Sequence, residues 1–247
     1  MKTLYKETEV RIMNKLSTDQ LADELVSLFR NIYTTTNIEE AIRNAKGMLL
    51  AEAKKARRKQ LEELFDAQIQ RWKDCGCPGA IVEMLADQKD AVLSRAREMT
   101  FGEGNISILS VVPRIYMTIY NQMPMVKNGE KTGFTHMDPT EITDVVDVPK
   151  RPYWIYDVEN GEARLGESPE KAEKLIKKEG QSCLTDTEVI AIGIHDRPDH
   201  HMDATGSCYG LSDRALCLHL DEGCPVLDWH YAGASCSRWG SASCGSR

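Results

Sequence analysis

Apolar residues recur at helical spacing over the first hundred residues. After the capping box Ser17-Thr18-Asp19-Gln20, residues Leu21, Leu25, Leu28, Phe29 and Ile32 fall on one helical face. Thr34-Thr35-Thr36-Asn37 interrupts, and Thr36 with Glu39 makes a second capping box. Ile38, Ile42, Ala45, Leu49, Ala53 and Ala56 then continue in steps of three and four. The two successive steps of four, Ala45 to Leu49 to Ala53, break a strict heptad. The stripe is that of an amphipathic helix and only loosely a coiled-coil seam. Its phase shifts near Lys59 and resumes through Leu61, Leu64, Phe65 and Trp72, so one long helix or two meeting there both fit. Cys75-Gly76-Cys77-Pro78-Gly79 ends it. Pro78 opens a further helix with Ile81, Met84, Leu85, Val92 and Ala96 on its stripe.

Beyond Thr100-Phe101-Gly102 the pattern becomes mixed. The run from Ile106 to Val112 predicts a buried strand stopped by Pro113, and Tyr116, Ile119, Tyr120 and Met123 suit one side of a short helix. Tyr153 to Val158 predicts a second strand. Glu159-Asn160-Gly161-Glu162 reads as a hairpin turn that returns through Ala163, Arg164 and Leu165. Ser168-Pro169 opens a helix that Gly180 closes, and Thr185 to Glu188 caps another that runs to about His195. Near the end, Leu216, Leu218 and Leu220 alternate with Ala215, Cys217 and His219. Leu227, Trp229 and Tyr231 alternate with Val226, Asp228 and His230. Pairing Leu218 with Leu227 sets Leu216 opposite Trp229 and makes one face apolar. Cys217, His219, Asp228 and His230 then share the other face. These elements predict an α+β protein. An N-terminal helical hairpin or bundle (1–100) precedes a compact mixed α/β domain (101–247) with an antiparallel C-terminal sheet.

Composition sharpens that boundary. Of 31 basic and 38 acidic residues, 17 and 16 lie in 1–100, which leaves a net of −8 in the remainder. All six His and six of the eight Cys are in that remainder. At 247 residues the chain is long enough for a real core without disulfide or metal staples. It has no apolar run near the roughly 18 residues that a membrane span needs. Its charged start lacks a signal core, so a cytoplasmic protein with reduced, mostly buried thiols is expected.

Several groups are candidates for chemistry. Cys217, His219, Asp228 and His230 are zinc-ligand types that a hairpin face can bring close together, although no C-x-x-C pair accompanies them. His195, His200 and His201 with Asp196, Asp199 and Asp203 form a second dense patch. Its Pro198 and charge density read as a solvated loop. Cys244 is the best nucleophile candidate, in a small-residue ending closed by Arg247. Trp239, Ser241, Ser243 and Arg247 there, with Trp229 and Arg214, are candidate ligand-binding residues. The competing explanation of that ending is close packing of small residues. The basic run Lys54-Lys55-Ala56-Arg57-Arg58-Lys59 is wrapped around a helix and followed by Glu62, Glu63 and Asp66. It reads as a solvated face rather than a nucleic-acid site.

The ending Trp239 to Arg247, W-G-S-A-S-C-G-S-R, resembles that of an uncharacterised bacterial domain-of-unknown-function family. Further pieces of the likeness are Phe101 to Ile106 with Val112-Pro113-Arg114, Met125 to Gly129, Tyr156 to Glu162, Ser168-Pro169-Glu170, Thr205-Gly206-Ser207 and Pro225 to Trp229. It runs over most of 101–247 and not over the N-terminal helices. The resemblance implies a compact domain completed by its own C-terminus. It supplies no activity, and it does not associate Cys217, His219 or His230 with a shared zinc site.

The leading expectation is a non-enzymatic binding or protein-interaction module, with a homo-oligomer or protein partner engaged through helices 1–100. One alternative is a hydrolase or transferase with a Cys-dependent or zinc-assisted site in the C-terminal domain. Another is nucleic-acid or ribosome association through the basic helix, which the acidic balance disfavours.

Overall fold

The computed structural model describes residues 23, 26, 36–196, 200–210 and 213–247. The capping box at Ser17 and the stripe from Leu21 to Ile32 lie outside them. The chain divides into two units, 1–60 and 61–247. Helix α1 (Thr36–Asp74) runs unbroken through the phase shift at Lys59. Before the shift, in the first unit, Met48 and Leu49 are exposed. After it, Leu61, Phe65, Gln68, Ile69 and Trp72 are buried at successive turns of the second unit. The phase shift therefore marks the point where the helix acquires a core.

The composition break at residue 100 does not coincide with the division between units. Helices α2 (Gly79–Ala86) and α3 (Lys89–Glu98) bury Ile81, Val82, Leu85, Val92, Leu93 and Ala96 in the same core as the strand residues. Composition changes at residue 100 because strands replace helices, while the packing continues across it. The single stripe read over 81–96 is two helices. Gln88 sits between them and donates to Met84 O and Pro152 O.

In chain order there follow β1 (Ile106–Val111), α4 (Ile119–Gln122), β2 (Lys127–Asn128), β3 (Lys131–Thr132), β4 (Phe134–Thr135), β5 (Ile142–Asp144), β6 (Tyr153–Glu159), α5 (Pro169–Lys178), β7 (Ser182–Cys183) and α6 (Asp186–His195). The last five strands are β8 (His201–Tyr209), β9 (Arg214–Asp221), β10 (Cys224–Tyr231), β11 (Trp239–Ser241) and β12 (Ser243–Ser246). One sheet has the order β1-β6-β12-β7. The other has the order β11-β8-β9-β10-β4, with β5 on the far end of β8. β2 and β3 form a small ribbon. The β9–β10 register is the one that the alternation demands, with Leu218 opposite Leu227, Leu216 opposite Trp229 and Cys217 opposite Asp228. That sheet is antiparallel through β8, β9 and β10, while β4 and β11 add parallel pairings.

Asn160-Gly161 does not make a hairpin. Both edges of β6 are already taken, by β1 and β12, so the chain leaves through a short 3-10 turn at Glu162–Arg164. Gly161 has φ 106, and a Cβ there would meet Gly240 O at 2.7 Å. Gly240 is equally constrained by the Gly161 carbonyl. Here β11 leaves one sheet and, after Ala242, β12 enters the other, so small residues are what the crossing requires.

Candidate metal centre

Three strands of the six-stranded sheet place side chains of alternating position on one face. His201 and Asp203 come from β8, Cys217 and His219 from β9, and Asp228 and His230 from β10. The opposite face, carrying Met202, Leu216, Leu218 and Leu227, belongs to the core. β8 pairs Asp203 with Cys217, which in turn pairs with Asp228.

The ligand atoms of His201, Cys217 and His230 all lie within 4.8 Å of one another. Donors around a tetrahedral zinc, at about 2.0–2.1 Å for nitrogen and about 2.3 Å for sulfur, stand roughly 3.3–3.6 Å apart. Asp203 Oδ1 lies 3.0 Å from His201 Nε2 and 2.8 Å from His230 Nε2, and its carboxylate is fully buried. His230 Nδ1 is 3.0 Å from Tyr231 O. Both nitrogens of that ring face acceptors, so without a metal both carry protons. Burial opposes that charge, but the hydrogen bond and charge of Asp203, with Tyr231 O and Asp228, together outweigh it and the His230 pKa is raised. Burial likewise opposes ionisation of Asp203, and the hydrogen bonds and charges of His201 and His230 together overcome it and lower its pKa. Burial, then the charges of Asp203 and Asp228, push the Cys217 thiol well up. A bound divalent ion would reverse that preference and hold the thiolate. Rings close over the cluster. Trp239 stacks on His201 with centroids 4.6 Å apart and tilts over His230 at 4.5 Å, and His219 stacks on His201 at 5.3 Å.

Of the four residues read from the hairpin, Cys217 and His230 belong to this triad. His219 is half-buried against His201. Asp228 is exposed and accepts from the Trp229 N–H at 2.8 Å. His201 completes the triad and Asp203 lies against both of its imidazoles, and the sequence leaves these two in a polar loop. His201 opens a strand directly after that loop, and the pairing of β8 with β9 carries no local signal. The other histidines of the patch lie elsewhere. His200 Nε2 meets Asn160 O at 3.0 Å, and His195 is half-buried at the end of α6.

His195 Nε2 lies 3.0 Å from Ser110 Oγ, the spacing of a nucleophile and its base. Proton counting assigns it to architecture instead. The Gln68 amide donates to Ile108 O, so its oxygen accepts from both Ser110 N–H and O–H. Ser110 Oγ then accepts from Trp72 Nε1 and from His195. The one proton and two lone pairs of Ser110 Oγ are thus all engaged.

The terminal candidates sit in the other sheet. Cys244 on β12 is fully buried, and burial, with Glu188 adding to it, pushes its thiol up to about 12. That is opposite to the shift a thiolate nucleophile needs. Arg247 forks onto Glu188 at 2.7 Å through both Nε and Nη2, and also donates to Cys183 O and Ser182 Oγ. Glu188 in turn accepts from Tyr153 OH at 2.9 Å and caps α6 at Thr185 N. Ser243 donates to Gln181, and Ser241 donates to Asp203 Oδ2 at 3.3 Å. Arg214 stacks over the Trp229 ring at 4.3 Å, on a different sheet from Cys244.

A family model described as "Family of unknown function (DUF5701)" matches residues 75–247. The chain belongs to this family. The match spans the triad, Asp203 and the Arg247–Glu188 clasp, and it begins within the second unit. No curated protein and no solved structure matches the chain. Among the described residues no helix is long and apolar enough to cross a membrane.

Proposed function

We propose that residues 61–247 form a metal-binding domain that holds a divalent ion of the zinc class on His201, Cys217 and His230. The convergence of the three ligand atoms within 4.8 Å carries this reading. Two imidazoles and one thiolate are a donor set that zinc accepts, whereas magnesium and calcium require oxygen donors. His230 Nδ1, engaged with the Tyr231 carbonyl, fixes that ring in the manner of an outer-shell partner. The role is binding rather than nucleophilic catalysis, since the candidate thiol Cys244 is buried and protonated.

The test is elemental analysis of tag-free protein together with zinc titration of the metal-free chain. One equivalent bound, and lost in Cys217→Ser and His230→Ala, is the expected result. A wild-type chain that takes up no zinc would end the proposal.

A second reading has its own observation. In the first unit Met48 is 73% exposed and Leu49 44%, on a helix whose apolar stripe suits a second copy of the chain. Light scattering of the full chain tests it. The expected result is a dimer that Met48→Glu with Leu49→Glu dissociates, and a wild-type monomer would contradict it.

A further inference from the structure

Asp203 holds the Nε2 atoms of both candidate imidazole ligands. Its Oδ1 accepts from His201 Nε2 at 3.0 Å and from His230 Nε2 at 2.8 Å. Once an ion occupies those nitrogens, neither can donate. Asp203 then retains the Ser241 Oγ donor at its other oxygen, at 3.3 Å. A carboxylate with 0% exposure cannot be left in that state, because desolvated charge without compensation is strongly unfavourable. The group that displaces its two donors is itself a cation, seated on the nitrogens that lie 3.0 and 2.8 Å from Oδ1.

We infer that Asp203 is the fourth ligand of the metal centre, exchanging two hydrogen bonds for one bond to the ion as His201, Cys217 and His230 bind it. This rests on the metal-binding reading above. One thiolate and one carboxylate balance the charge of a divalent ion, so the loaded centre is neutral, as its burial requires. A closed two-nitrogen, sulfur and oxygen sphere leaves no position for water or substrate. The ion then ties β8, β9 and β10 together under Trp239 and does not activate a nucleophile. Cys217 is only 2% exposed, and the stacked rings of Trp239 and His219 leave little room for a fifth donor.

Cobalt(II), bound to the full chain in place of zinc, reads both coordination number and ligand type. The wild type is expected to show the intense visible bands of a four-coordinate ion with a thiolate charge-transfer band, unchanged by added azide. Asp203→Ala is expected to keep the thiolate band, weaken the visible bands, respond to azide and lose more than about 100-fold in cobalt affinity, beyond what an outer-shell partner costs. Asp203→Asn, which preserves the side-chain volume, supplies the same comparison if the alanine variant does not fold. Identical spectra and affinity in the wild type and the folded variant would overturn the fourth-ligand assignment and leave the three-residue site standing. An azide response in the wild type would overturn it equally. A wild type without the thiolate band would instead overturn the metal reading itself.

Discussion

Two polar clusters of the second unit are each built around a buried carboxylate and differ in closure. Around Glu188, every strong group points at a partner. Arg247 forks onto the carboxylate, Tyr153 and Thr185 complete it, and Ser182 and Cys183 take two more guanidinium donors. Around Asp203, one carboxylate oxygen is shared by two imidazoles, with an un-ionised thiol beside them. The first arrangement is saturated and serves the fold. The second converges donors of metal-ligand type on one small volume. A buried charged group is thus a guide to function only after its partners have been counted.

Breaking the first cluster is expected to have the largest effect on stability. Arg247→Ala leaves Glu188 charged and buried without its counter-ion, which costs about 3–5 kcal/mol in urea denaturation. Arg247→Lys is expected to recover only part, because an ammonium cannot reproduce the fork. A loss below about 1 kcal/mol for Arg247→Ala would show that the terminus is not a clasp.

The second cluster is expected to respond to metal instead. Zinc at one hundred times its Kd adds about 2.7 kcal/mol to wild-type stability, and the gain vanishes in Cys217→Ser. The same zinc leaves Arg247→Ala stabilised by a similar increment if that variant folds, which separates the two clusters. A zinc effect that survives Cys217→Ser would place the ion elsewhere.

The network of Gln68, Trp72, Ser110 and His195 has a pH signature. Burial, with Arg71 nearby, lowers the His195 pKa from 6.5 to about 3. The unfolded chain therefore takes up this proton first as pH falls. The stability tied to neutral His195 is present above pH 6.5 and is lost on acidification toward pH 3. Its slope approaches about 1.4 kcal/mol per pH unit below pH 6. Denaturation at pH 7 and pH 5 should show the wild type losing about 2 kcal/mol more than His195→Gln. Parallel losses would mean that the ring is protonated in the fold.

The smallest effect is a rate order. Cys77, Cys183, Cys217 and Cys244 are buried, and Cys75, Cys208, Cys224 and Cys236 are half-buried. Thiol labelling of native protein should reach the second group first. Early labelling of Cys244 would reopen its candidacy as a nucleophile.

What the sequence disclosed follows from where the information is local. The β9–β10 register was legible because two apolar alternations and a short turn admit one pairing that keeps Leu216, Leu218, Leu227 and Trp229 on one face. The capping box at Thr185 to Glu188 was legible for the same reason, and it starts α6. His201 and Asp203 were not, because β8 meets β9 across a register irregularity between Ala204 and Cys208. The parallel pairing of β11 with β8, which brings Trp239 over His201, has no sequence signal at all. Two residues of the candidate triad, Cys217 and His230, are written in the hairpin, and the third, His201, in long-range topology.

Calorimetric zinc titration of the tag-free, metal-free full chain tests the central claim most directly. The account predicts one ion per chain, with binding abolished separately by His201→Ala, Cys217→Ser and His230→Ala and retained by His195→Gln. No binding by the wild type, or binding undiminished in the three triad variants, would contradict it.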